Sequence, residues 1–164
     1  MAEARGRQRG LAAVEFAIVL PVIVLIAFAM TELGRGLYQY NTLSKAVHAG
    51  ARFLADDVFI GNPGGDIATI LAPGSDLYVK AQQLVATGTI DGTGNEVLYD
   101  FSSRGSVTIR TLNIVLKDGN GTDHNHIEVS ATYTFLSLIP GLSALGYSML
   151  PNFTAKAVER ALMI

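Results

Sequence analysis

From Leu11 to Met30 the chain is apolar at every position except Glu15. About 20 helical residues rise about 30 Å, the thickness of a bilayer's hydrocarbon core, so this stretch is long enough to cross a membrane. Beyond it the pattern changes. Leu33, Leu37, Tyr40, Leu43, Val47, Gly50 and Leu54 recur at spacings of three or four, which is one apolar stripe on a helix. Glu32, Arg35, Gln39, Lys45 and Arg52 fall mostly elsewhere on the wheel. Together the two patterns predict one helix over residues 11–56, with a transmembrane part over 11–31 and an amphipathic remainder packed on a sheet. Pro21 predicts a kink, because proline removes one backbone hydrogen bond and crowds the carbonyl four residues earlier. Gly34 and Gly36 mark a flex point where the chain leaves the membrane.

After the helix, Gly61-Asn62-Pro63-Gly64-Gly65 and Pro73-Gly74 are breakers around a short helical turn near Ile67 to Leu71. Ser75 or Asp76 caps a second helix running to Ala86, with Leu77, Ala81, Leu84 and Val85 on its apolar side and Gly88 as its stop. Thr89 to Gly105 reads as a small hairpin or an irregular loop. The remainder reads as β. Ser106 to Leu116 is a strand whose apolar face shifts between Ile109 and Leu112, as a bulge or bend would make it. Asp118-Gly119-Asn120-Gly121 is a turn cluster. Ile127, Val129, Ala131, Tyr133 and Phe135 then alternate with polar residues, which is the period of a half-buried strand. Pro140-Gly141 breaks the pattern, Leu142 to Leu150 connects, and Phe153 to Met163 supplies a third strand. Helices followed by antiparallel strands give an α+β class, with residues 57–164 as a single outer domain.

Charge and composition narrow the function. The 164 residues carry a net charge of −2, so there is no basic bias of the kind nucleic acid selects. Cysteine is absent, which excludes disulfides and thiolate sites. Tryptophan is absent too, leaving Tyr38 and Tyr40 as the interfacial aromatics just past the span. Arg5, Arg7 and Arg9 precede the apolar run; such residues hold an N-terminus in the cytoplasm and place the remainder outside it. Residues 1–10 have no apolar periodicity and read as a flexible basic leader. A cleaved secretory signal is the alternative, since Ala27-Phe28-Ala29 has small-x-small spacing. Against it, the run exceeds the usual signal core and Glu15 interrupts its start.

Little else carries chemistry. His124 and His126 on a strand would share a face, as a zinc site needs, but no third ligand stands near them and the segment reads as a turn entering the strand. The glycines of 61–65 lack the Lys-Ser/Thr ending of a phosphate loop. No catalytic constellation emerges, so the sequence points to a protein that is not an enzyme and holds no cofactor or metal. Glu15 is the anomaly. An ionisable group inside a span costs about 2.5–3.5 kcal/mol near its centre and less near an end.

A basic leader, Gly10, apolar Leu11, and Glu15 as the fifth residue after the glycine resemble a type IV prepilin processing site. Ala13-Val14-Glu15-Phe16-Ala17, then Leu20-Pro21, Glu32-Leu33-Gly34-Arg35 and Ala49-Gly50-Ala51-Arg52 are similar to the TadE branch of minor pilins or pseudopilins of Tad (Flp) pili. The resemblance implies a pilin-like fold with its long helix on the sheet, and cleavage by a prepilin peptidase between Gly10 and Leu11. It also implies pairing of Glu15 with the N-terminal amine of a neighbouring subunit. The partners it implies are that peptidase, other pilin or pseudopilin subunits, inner-membrane pilus assembly proteins and the lipid bilayer, with the chain in the cytoplasmic (inner) membrane or in the pilus. A single-pass anchored binding domain that is neither processed nor polymerised is the other reading.

Overall fold

The computed structural model describes residues 3–61, 67–114, 124–135 and 152–160. Helix α1 runs unbroken over Glu3–Gly61, through Pro21, and is followed by α2 (Ile67–Ile70), α3 (Asp76–Thr87) and α4 (Phe101–Arg104). Strands β1 (Gly105–Ile114), β2 (His124–Tyr133) and β3 (Phe153–Arg160) form an antiparallel sheet in that order. The α+β class and the long helix on a small sheet are therefore as the pattern predicts. The helix starts earlier than expected. Ala4, Arg5, Arg7 and Gln8 are good helix formers, and no proline or cap separates them from Leu11. The turn cluster at 118–121, the connector at 142–150 and most of the Gly-Pro segment at 61–65 lie outside the described residues.

The sheet buries one face. Ile127, Val129, Ala131 and Tyr133 of β2 alternate inward with Ile109 of β1 and with Ala155 and Ala157 of β3. Helix α1 lies across β2 and β3, with α3 beside it over β1. The alanines of β3 keep that strand low beneath the helix, which presents Leu43, Ala46, Val47, Ala51 and Leu54 to the core. Each fully buried Leu, Val or Ile contributes about 1.5–3 kcal/mol. That outweighs any difference in local propensity, so packing fixes the domain. The β1–β2 register is continuous from Gly105↔Tyr133 to Ile114↔His124, so the expected bulge is not present. Leu112 simply lies on the sheet face opposite Ile109.

The inward face of α1 departs from the expected stripe. Leu43, Val47, Gly50 and Leu54 are covered, whereas Leu33, Leu37 and Tyr40 are 53, 56 and 43% exposed. Helical geometry decides this. At 100° per residue Glu32 falls within about 20° of Leu43, while Leu33 is about 80° away. The buried line accordingly continues from Leu43 back through Gln39 (half-buried), Gly36 and Glu32.

The cap of α3 is as read from the sequence: the Tyr78 amide donates to Ser75 Oγ at 3.3 Å, and Gly88 closes the helix with φ +75°. Thr89 to Asp100 is irregular rather than a hairpin. Where α1 crosses α3, a Cβ at Gly50 would stand 2.6 Å from Val85 Cγ2. Val85 is fully buried and has nowhere to turn. At Gly34 a Cβ would meet nothing within 4 Å. Gly50→Ala should therefore lower stability by about 1–2 kcal/mol despite the gain in helix propensity, whereas Gly34→Ala should raise it by up to about 1 kcal/mol. Thermal unfolding of the full chain in detergent micelles reads both signs; equal shifts would contradict this packing.

Candidate functional site

Two parts of α1 carry features that packing alone does not require. In the first, every described side chain from Gly10 to Phe28 is exposed, and the most apolar 18-residue window has none of its residues buried. Leu11 is 72% exposed, Ile18 70% and Met30 69%. This helix is long and apolar enough to cross a membrane. Thr31 closes it quietly, its hydroxyl donating back to the Ala27 carbonyl at 2.9 Å, so the polar group is satisfied within the helix. Gly10, Leu11, Glu15 and Pro21 all stand on this exposed part. Arg5, Arg7 and Arg9 are helical in backbone, and their side chains lie outside the described residues.

The second part is the helix exit. Glu32 is 3% exposed. A buried carboxylate is tolerable only when paired and hydrogen-bonded. Arg35, one turn on, donates from Nη1 to Glu32 Oε2 at 3.1 Å. The Arg35 guanidinium also lies 5.3 Å from the centre of the Phe135 ring, just past the end of β2. Phe135 meets Phe153 edge-on at 5.7 Å, and Phe153 meets Tyr40 edge-on at 6.1 Å. An ion pair and three rings thus form a collar that ties the emerging helix to the ends of β2 and β3. The sequence reading set Glu32 off the buried stripe and missed this collar. The signal was there in opposite charges at i and i+3 directly after a span whose one ionisable residue is Glu15.

A second wall faces the same helix turns. Tyr133, stacked on Phe101 at 6.1 Å, donates its hydroxyl to the Tyr99 carbonyl at 2.7 Å, and burial pushes its phenol pKa up. The Val97 amide donates to the Ala86 carbonyl at 2.8 Å. The Glu96 carboxylate accepts from the Phe101 and Ser102 amides, each at 3.0 Å, and so caps α4. Hydrogen bonds from Ser102 hold Glu96 below the usual carboxylate range, as Thr93 does for Asp91, and Ser103 with Arg104 for Asp100. Between this loop and α1 lies a cleft of about 410 Å³.

The histidines fare differently from expectation. His126 is 9% exposed within β2, opposite Leu112 and Arg160, rather than in a solvated turn, and the side chain of His124 lies outside the described residues. Glu15 and the collar do not meet, being separated by 17 residues of helix, or about 25 Å.

Residues 10–52 match the family model of TadE-like proteins. In this segment the chain is TadE-like. The match begins at Gly10 and ends at Arg52, so it covers the exposed span, the collar residues Glu32 and Arg35, and the Gly50 crossing. Neither the curated proteins nor the solved structures contain a match to the chain. The match spans about a quarter of the chain, and among the described residues one helix is long and apolar enough to cross a membrane.

The loop carboxylates set an acid limit on the second wall. A group whose folded pKa lies below its unfolded value of about 4 stabilises the fold above that value, and the contribution is lost as pH falls through the folded pKa. The protection of the Phe101 and Ser102 amides, measured against an unstructured chain at the same pH, should therefore fall on acidification below about pH 4, the ordinary carboxylate value. Glu96→Gln should remove most of that pH dependence. Hydrogen exchange of the full chain read by mass spectrometry checks it; protection that does not change with pH counts against the cap.

Proposed function

We propose that this protein is a minor pilin or pseudopilin of Tad pilus biogenesis, processed by a prepilin peptidase and assembled through its N-terminal helix. The observation that carries the reading is the placement of Gly10, Leu11 and Glu15 at the start of an exposed apolar helix, where the TadE-like match also begins. The arginines keep the N-terminus cytoplasmic, and the folded domain stands on the other side of the cytoplasmic membrane. Water hydrolyses the Gly10–Leu11 peptide bond, leaving a carboxylate on Gly10 and an ammonium on Leu11. Glycine is about 1 kcal/mol less favourable than alanine in a helix, which eases local unwinding for the peptidase. In the mature protein Glu15 pairs with the Leu11-type amine of a neighbouring subunit, since two opposite charges in low dielectric recover their desolvation cost only together. The small side chains of Ala12, Ala13 and Ala17 permit close approach of another helix.

A second reading, an unprocessed single-pass anchor for an outer binding domain, is favoured by one observation. The helix continues without a break from Glu3 across Gly10. Intact mass of the protein from its native membrane separates the two. A species starting at Leu11 supports processing, and one that keeps residues 1–10 favours the anchor.

Two variants test the steps. A side chain at Gly10 meets no neighbour within 4 Å, so Gly10→Phe should leave the fold intact and abolish the cleaved species on immunoblots. Unchanged processing would refute the site. Glu15→Ala should still insert and be cleaved but should fail to assemble, and normal piliation of that strain would sink the proposed pairing.

A further inference from the structure

The cleft between α1 and the loop before α4 has a height fixed by the span. Arg35, Tyr38 and Gln39 on one wall lie about 7–14 Å beyond Met30 along the helix axis. The head-group layer on one side of a bilayer is about 5–8 Å thick. Side chains on a helix lean toward its N-terminus, here toward the membrane, which brings the Tyr38 ring back into that layer. The other wall ends in Tyr99. Tyr38 is 71% exposed and Tyr99 76%, so the mouth of the cleft carries two outward tyrosines.

Tyr99 is exposed on a rigid mount. Its carbonyl is held by the Tyr133 hydroxyl, Leu98 beside it is 3% exposed in the core, and Val97 is tied to α3. An amphipathic ring fixed at this level gains by placing its body among lipid glycerol groups and its hydroxyl in water. Two polar side chains stand on the α1 wall of an otherwise largely apolar cleft: Arg35 lines it with a side chain 31% exposed, and the Gln39 carbonyl oxygen is buried without a hydrogen-bond partner. An unsatisfied buried acceptor costs about 1–3 kcal/mol, which a small turn of the amide toward a donor in the cleft relieves.

We propose that this cleft is a contact for phospholipid head groups, through which the outer domain rests on the membrane that its own helix crosses. The head group's phosphate faces Arg35, its donors face Gln39, and Tyr38 and Tyr99 flank it. The occupant is lipid because the α1 wall of the cleft follows the span within three helical turns. The proposal rests on the reading of α1 as a membrane span, and its test separates the two.

The chain contains no tryptophan, so single substitutions give single fluorophores. Full-length Tyr99→Trp and, separately, Phe28→Trp are reconstituted in vesicles of phosphatidylethanolamine and phosphatidylglycerol, whose head groups carry donors, with a nitroxide either on the head group or deep in the acyl chain. Tyr99→Trp should lose most of its emission to the head-group nitroxide and resist aqueous acrylamide. Phe28→Trp should be quenched by the deep nitroxide. If only Tyr99→Trp escapes lipid quenching and yields to acrylamide, the head-group contact is overturned while the span stands. If Tyr99→Trp is shielded from acrylamide and lipid alike, a protein covers the cleft and the proposal is equally overturned. If Phe28→Trp escapes the deep nitroxide, the span itself is wrong and the contact falls with it.

Discussion

The apolar surface of α1 between Leu11 and Met30 is largely uncovered within the described chain, and the later part of the same continuous helix, Leu43 to Val58, forms the floor of a folded domain. One helix therefore answers to two environments. In the first, apolar side chains point outward all round; in the second, the face toward the sheet is apolar. Burial of Leu43, Val47 and Leu54 anchors the second half, and the unbroken backbone ties the first half to that anchor. The height of the span is thus tied to the domain's core.

The handover between the two environments falls at Glu32 to Gln39. Gly36 lets the helix approach the domain, Glu32 faces inward where Leu43 faces inward, and Arg35 supplies the charge that a buried carboxylate needs. The rings of Phe135, Phe153 and Tyr40 then bind this turn to the strand ends. A charge pair is costly to drag into hydrocarbon, so the collar works as a stop as well as a joint. On the neighbouring line of the helix Leu33 and Leu37 remain exposed, which leaves one apolar edge running past the span beside the domain.

Much of this was legible in the chain because its period is strong. Uninterrupted apolar residues from Leu11 announce the span, strict alternation from Ile127 to Phe135 announces the central strand, and Ser75 with Gly88 brackets the second helix. Where the reading failed, two solutions were close in angle. Leu33-Leu37-Tyr40 and Glu32-Gly36-Gln39 are neighbouring lines on one helix, and hydropathy favours the first. The fold chose the second because the line through Leu43 runs that way, and an internal ion pair offsets the carboxylate. Tertiary contact also decided the loop before α4, where Tyr99 is held through the hydroxyl of Tyr133 from 34 positions away. No local pattern records that bond. The proposed site at Gly10 and Glu15 rests on the opposite kind of signal, a spacing that is local.

The two ends of the span constrain one another. From Glu15 to Arg35 is 20 residues of continuous helix, about 30 Å, which matches the hydrocarbon core. With Arg35 in the head groups about 7 Å beyond the core, Glu15 lies about 7 Å inside the opposite edge. Sliding the helix by one turn, about 5 Å, to bring Glu15 toward water would carry Glu32 just into hydrocarbon and the domain's rim through the head groups. That movement exchanges one exposed carboxylate for a desolvated charge pair and part of a folded domain, and it is the worse bargain. The domain therefore holds Glu15 at a depth where water relieves it only in part. A positive charge arriving in the plane of the membrane is the remaining way to lower its energy; in the proposed assembly the cut N-terminus of a neighbour displaced by about one helical turn, roughly 6 Å, would supply it.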